Sequence, residues 1–478
     1  MFEESVPLTI SGEKVAGADG SYPVFNPARP DEIALVAPIA SSGQLDQAVA
    51  AARASQPAWA ALDFAERQAV LQSACDQAME TLDLHTISAL LTREHGKVLV
   101  EALFDVATTA GMVGGLAPLV AEALEPRSAG TSVIERVPHG VVAAIIPFNW
   151  PAAVMGNKIL PALLAGNTVV VKTPPTCPGA VLTLAAAIAG GLPPGVLNAL
   201  NGPSPELGAA LVAHPDVDMV SFTGGVAAGR SVLTGCAAHL RPAVLELGGN
   251  DPAIIGPDLE PSEELAGRLI EAAFTTSGQV CMAIKRLYVP ADHLGGWRDA
   301  LAETLSHAVI GDGLESEVTM GPVHTEAARD RVEAMIASAA KEATEVVRPA
   351  TVTEPDSGWT VSPALVVAPD PNADLVRQEQ FAPALPLLPY KEVDEAIAAA
   401  NDTGFGLCAS VWSSDAVLAD AVATRLAAGT VWTNAHGMSA MDHLAPMGGW
   451  GESGLGTELG LEGMAAFTRP RVLRRGSL

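Results

Sequence analysis

Between Val141 and Ile255 the chain repeats a single pattern. Apolar, β-branched runs occur at Val141–Ile146, Thr168–Val171, Val196–Leu200, Met219–Phe222 and Ala243–Leu247. Ala- and Leu-rich segments of helical character, such as Ala180–Ile188 and Val226–His239, lie between them. The spacing is roughly 25 residues, about what a strand, a crossover helix and two short loops consume. Strands that are apolar along their whole length must be covered on both faces, which requires a parallel sheet flanked by helices. The fold class is therefore α/β, and loops at the carboxyl edge of the sheet are the natural place for a ligand.

A second alternating region follows from about Gly248. Helical periodicity covers Glu263–Phe274, Val332–Lys341 and Val393–Asn401, and strand-like runs occupy Arg286–Val289, Val361–Val367, Ser410–Trp412 and Thr430–Thr433. Ahead of the first sheet, Leu45–Ser55 and Ala65–Leu82 read as helices, and Thr131–Pro138 as an exposed strand. Arg471–Leu478 reads as a last strand. These patterns suggest a first α/β domain, on which the segment to about Leu116 packs, and a second α/β domain from near Gly248.

Composition excludes several function classes. With 49% hydrophobic and 17% charged residues over 478 positions, the chain has the balance of a packed globule. A net charge of −27 repels nucleic acid and anionic membranes, so neither is expected as a partner. The longest apolar run, Val141–Met155, is broken by Pro147, Asn149 and Pro151 and cannot span a bilayer. No basic stretch followed by an apolar one opens the sequence, so no secretory signal is expected. The five cysteines are widely spaced, odd in number and without a CxxC pair, which suits a reducing cytoplasm and argues against a disulfide scaffold or a zinc site. His436 and His443 lack a third ligand at sensible spacing, so no metal is expected.

A few residues stand where chemistry is possible. Cys281, in SGQVCM, follows a helical run that gives way near Gly278; a loop there exposes a thiol and lowers its pKa. Alone, it also reads as a small buried hydrophobe. Glu246 ends an apolar strand before Gly248-Gly249, where burial would raise its pKa toward that of a general base; a solvated strand-end acid is the alternative. Asn149, in PFNWP, offers an amide to an oxyanion or simply completes a turn. Lys172 ends a strand, within reach of a phosphate or ribose or of solvent. Thr223-Gly224-Gly225 close a strand and open a helix, leaving room for a pyrophosphate or only for a tight turn. Gly449–Gly454 matches GxGxxG literally but follows no clear strand and has too little chain after it, so it reads as a tight loop.

The segments together resemble the aldehyde dehydrogenase superfamily of the hydrolytic, non-CoA-acylating type. The likeness runs from about Gly43 to Phe467 and rests on PFNWP, NTVVVK, SFTGG, LELGG, GQVC, QEQFAP and PMGGWGESGLGTELG in that order. It implies a Rossmann-type cofactor domain (1–119 and 139–247), a catalytic α/β domain (248–447) and a small β oligomerisation element (120–138 and 448–478). It gives Cys281 the role of nucleophile, Glu246 that of the base activating water, Asn149 that of the oxyanion donor alongside the Cys281 N–H, and sets Lys158 near the proton relay. The cofactor contacts it implies are Ile146, Pro147, Phe148, Lys172, Pro175, Gly202, Thr223, Gly224, Gly225, Leu247, Glu379 and Phe381. Trp150, Val154, Asn157, Val280, Met282 and Met447 would line the substrate channel; mostly apolar, without Arg or Lys, they favour a hydrophobic aliphatic or aromatic aldehyde over a semialdehyde acid.

The implied activity is NAD(P)-dependent oxidation of an aldehyde to a carboxylic acid through a Cys281 thioester. Pro175 stands where the family usually has the glutamate that grips the ribose hydroxyls, which leaves NADP open beside NAD, with NAD ahead. Gly225, Thr276, Ala382 and Met447 also depart from common family residues without removing a catalytic group. Transfer of the acyl group to CoA is the nearest rival, and Glu246 argues against it; a non-catalytic binding protein of this fold is the rival from another class. A homodimer or homotetramer joined through Gly130–Pro138 and Phe467–Leu478 is expected.

Overall fold

The computed structural model describes residues 6–352 and 358–474. Two mostly parallel sheets organise them. In the first, neighbouring strands run Glu13–Val15, Leu8–Ile10, Leu197–Leu200, Thr168–Lys172, Val141–Ile145, Met219–Thr223, Ala243–Glu246 and Gly454–Leu455. The five central strands are parallel and buried, as their unbroken apolar runs require. In chain order these five lie 3-2-1-4-5, so the winding reverses between Val141–Ile145 and Met219–Thr223. Open α/β sheets bind ligands at the carboxyl ends of strands beside such a reversal.

The second sheet runs Glu345–Val347, Ala364–Val367, Ala384–Tyr390, Ile284–Pro290, Asp251–Ile255, Cys408–Trp412 and Thr430–Thr433, parallel except at Glu345–Val347. Each sheet has its own apolar core. The chain passes from the last central strand of the first sheet to Asp251 of the second through Leu247–Asn250 alone. The carboxyl ends of the first sheet thus face the amino ends of the second, and Glu246, Cys281 and Leu407 gather at this seam.

Several boundaries move. The periodicity predicts a helix at Val332–Lys341; Thr325 caps it earlier and it spans Glu326–Ala339. The helix Pro151–Leu164 goes undetected in the periodicity, because its prolines at 151 and 161 disguise it; Pro151 sits in the first turn, where a missing N–H costs nothing. Gly449–Gly454 is not merely a loop. Trp450–Gly451 pairs with Phe405–Gly406, and Gly454–Leu455 pairs with Leu245–Glu246, so the segment clasps the first sheet to the second-sheet side. The last described strand is Thr468–Arg474, which pairs with Ser132–Pro138 and, through it, with Arg127–Ala129. Of the strand expected over Arg471–Leu478, residues 475–478 lie outside the described ones. No single described helix is long and apolar enough to cross a membrane, although the two arms of Leu99–Leu124 pass on length and composition as a bent pair.

Candidate active site

Cys281 lies three residues before the strand Ile284–Pro290. The helix Glu263–Phe274 ends in a tight turn with Thr276, Ser277 and Gly278 all left-handed (φ 55°, 56° and 73°). Such a run is costly for side-chain-bearing residues and persists only when held from outside. It is held: Thr276 N–H donates to Glu101 Oε1 (2.7 Å), Ser277 Oγ to Gly321 O (2.7 Å), and a Cβ on Gly278 would meet the Ala382 carbonyl at 2.6 Å. The turn delivers the half-buried Cys281 to the foot of a cavity of about 190 Å³ shared with Phe148, Asn149, Leu247, Gly248, Glu379 and Phe381.

The expectation of an exposed thiol with a lowered pKa fails. Burial pushes the Cys281 thiol up to about 12; Lys285 works against the shift, while Glu379, Asp251 and Glu246 add to it. Helix ends lower a thiol's pKa by their dipole only where their N–H groups point at it, and here the loop lies past a helix carboxyl end.

Asn149 Nδ2 donates to Gln279 O (3.0 Å), two residues before the thiol, with its second amide hydrogen left over. Glu246 is buried with Oε1 unpartnered among the described residues, and burial holds its carboxyl well above the usual carboxylate range; Glu458 raises it further and Lys158 opposes. Lys158, on the helix Pro151–Leu164, donates to Ser221 Oγ (3.0 Å) and to the Glu458 carboxylate. Glu458 went unrecognised in the sequence as a functional group. Its only signal is an acid inside the Gly-rich GTELG stretch, far in sequence from Lys158.

A larger cleft of about 730 Å³ adjoins the first cavity; both are lined by Pro147, Phe148, Thr223, Gly224 and Gly225, and the cleft lies at the winding reversal. At its far end Lys172 is buried, its amine lowered to about 8 by desolvation and bonded to the carbonyls of Thr173 (2.8 Å) and Gly202 (3.3 Å). The Pro175 carbonyl accepts from Tyr22 (2.5 Å). Thr223 Oγ1 is buried without a partner among the described residues. Gly225 caps the helix Val226–Ala238 with no side chain over the open N–H groups, a ready anion site. Ile146 lines this cleft, whereas Leu247 lines the smaller cavity. Glu379 accepts from Gly249 N–H (3.0 Å), and a Cβ on Gly248 would displace that carboxylate. This donor set fits a dinucleotide: an amine, an orphaned hydroxyl, open helix N–H groups, and an acid with a ring at the thiol end.

Trp150, Val154, Val280, Met282 and Met447 pack in one apolar cluster with Cys281, and Trp432, Met438 and Met441 join them. Sequence reasoning did not find the last three. Asn157, one turn beyond Val154, is buried with Oδ1 unpartnered among the described residues. His324 also escaped notice; it stacks on Phe148 (4.3 Å, 8°) and bonds Thr176 Oγ1.

Residues 14–473 match the family model described as the aldehyde dehydrogenase family, and the chain belongs to that family. It is 36% identical over 471 residues to the geranial dehydrogenase of Castellaniella defragrans, covering 97% of each. It is 35% identical over 456 residues to the NADP(+) succinate-semialdehyde dehydrogenase of Escherichia coli, covering 94% of this chain and 93% of that one. Its structure matches an aldehyde dehydrogenase from Pseudomonas syringae, solved with NAD+ and octanal, at a TM-score of 0.91 and 33% identity, covering 98% and 96% of the two chains.

Proposed function

We propose that this aldehyde dehydrogenase oxidises a hydrophobic aldehyde to its carboxylic acid with NAD or NADP, through a thioester on Cys281. The observation that carries this reading is the shared cavity: one wall is Cys281 and Asn149, another Glu379 and Phe381, and the apolar cluster around Trp150 and Met447 opens onto the same thiol. Cys281 Sγ adds to the carbonyl carbon, and the oxyanion takes a hydrogen bond from Asn149. When bound, the nicotinamide supplies the hydride acceptor. Lys172 and the Gly225 helix end bind the dinucleotide, and Glu379 with Phe381 orients its reactive end. Glu246 then takes a proton from the water that opens the thioester, the C–S bond breaks to release the Cys281 thiolate, and the Glu458 carboxylate, held by Lys158, stands behind Glu246 to take the proton on.

Geranial and octanal, which two similar proteins are named for or were solved with, suit the apolar lining; succinic semialdehyde, the substrate in a third relative's name, is the contrasting case. A panel of octanal, an aromatic aldehyde and succinic semialdehyde, each run with NAD and with NADP, tests both halves of the proposal. A strong preference for the semialdehyde overturns the hydrophobic reading. Product analysis with and without CoA tests hydrolysis against acylation of CoA, and the orphaned Glu246 oxygen favours water. The strand Thr468–Arg474 has a free edge, with Val472 and Leu473 exposed, and we propose it as a contact between copies in a homodimer or homotetramer. Five unpaired thiols fit a cytoplasmic setting.

A further inference from the structure

Lys285 is the second residue of the strand Ile284–Pro290 and is 1% exposed. Buried ammonium groups are ordinarily paired with a carboxylate, because an uncompensated charge is costly to desolvate. Among the described residues no carboxylate stands within 4.0 Å of it. Its partners are main-chain carbonyls of the thiol loop: Val280 O at 2.5 Å, Cys281 O at 3.4 Å and Ala283 O at 3.4 Å. Its amine also lies 5.6 Å from the centre of the Phe381 ring, and its own carbonyl accepts from Gln380.

The peptide joining Val280 to Cys281 explains why a cation belongs there. A trans peptide points its C=O and N–H in opposite directions. With Lys285 and the Ala283 N–H both donating to Val280 O, the Cys281 N–H is turned the other way, and it donates to no acceptor among the described residues. Asn149 reaches the same loop through Gln279 O. The ammonium therefore fixes one peptide from behind and leaves its N–H free. It also polarises that peptide, which strengthens the N–H as a donor. Among the charged groups acting most strongly on Cys281, Lys285 favours the thiolate and Glu379, Asp251 and Glu246 oppose it. His436, behind the same loop, is neutral because burial and Lys285 depress its pKa to about 3.

We propose that Lys285 is a positioning residue for the aldehyde oxidation: it holds the Val280–Cys281 peptide so that the Cys281 N–H completes the oxyanion site, and its charge offsets the acids around the thiol. This rests on the reading of Cys281 as nucleophile. The test uses the full-length enzyme with Lys285→Met, Lys285→Gln and Lys285→Arg. The rate of Cys281 alkylation by iodoacetamide is followed against pH, with kcat for octanal and binding of NAD or NADP measured alongside.

Lys285→Met is expected to lower the alkylation rate at about pH 8 by about tenfold and to lower kcat by at least about tenfold, with cofactor affinity within about threefold of the parent. Lys285→Gln keeps a donor for Val280 O without the charge, so it should show the same loss of alkylation rate and a smaller loss of kcat. Lys285→Arg should restore the alkylation rate. A folded Lys285→Met enzyme with the parent's alkylation rate and kcat overturns the proposal. If that variant does not fold, an unchanged alkylation rate in Lys285→Gln overturns it equally. Failure of the nucleophile reading is separate: it would show as aldehyde oxidation retained by Cys281→Ala.

Discussion

In the proposed mechanism Cys281 and Glu246 share one difficulty: each would act only after losing a proton, and each is buried where the charged form is disfavoured. The sign follows directly. Raised values keep both groups protonated in acid, so kcat should be lowest there and climb as pH rises toward the alkaline side. A rate profile flat from about pH 6 to about pH 9 would contradict this assignment. Glu246→Gln should still give a burst of reduced cofactor while steady turnover falls by about 10²–10³-fold, since only thioester opening is blocked; a variant without a burst moves Glu246 to the earlier step. Asn149→Ala should cost about 10²–10³ in kcat, and an unchanged kcat removes it from the oxyanion site. The thiol itself was legible in the sequence through GQVC. Its environment was not, because Lys285, Glu379 and Asp251 reach it from three strands or loops whose meeting is tertiary. The same holds for Lys158 with Glu458, three hundred residues apart.

Secondary-structure elements in this protein lend one another their missing groups. The helix Gly179–Gly190 begins at Pro178 with no cap of its own, and Glu94, near the end of the helix Leu84–His95, supplies one: its two carboxylate oxygens accept from the N–H groups of Gly179 and Ala180 at 2.8 and 2.9 Å. Glu94→Ala should therefore lower the unfolding free energy by about 2–3 kcal/mol in urea titrations, since it strands two buried donors. A loss below about 0.5 kcal/mol would mean that water replaces the carboxylate. This exchange also shows where sequence patterns stop. The central strands of the first sheet declare themselves by unbroken apolar runs, and the helices Glu263–Phe274 and Val393–Asn401 by their period. Two-residue strands such as Trp450–Gly451 and Gly454–Leu455 carry no periodicity, and only their partners define them.

At the scale of the molecule, the small sheet formed by Thr468–Arg474, Ser132–Pro138 and Arg127–Ala129 stands apart from the two large ones. Placing glutamates at Val472 and Leu473 should reduce the mass measured by light scattering toward that of one chain, with aldehyde oxidation largely kept. An unchanged mass would move the contact elsewhere. The route of the chain has one more consequence. Everything from Asp251 to Met447 enters beside the strand Ala243–Glu246 and returns to it through Gly454–Leu455, where Leu247 N–H meets Ser453 O at 2.9 Å. The second-sheet half is thus an insertion whose two ends are neighbours, and a homologous half grafted from a relative would have to match that doorway together with the bonds across the seam, Thr276 to Glu101 and Asn149 to Gln279.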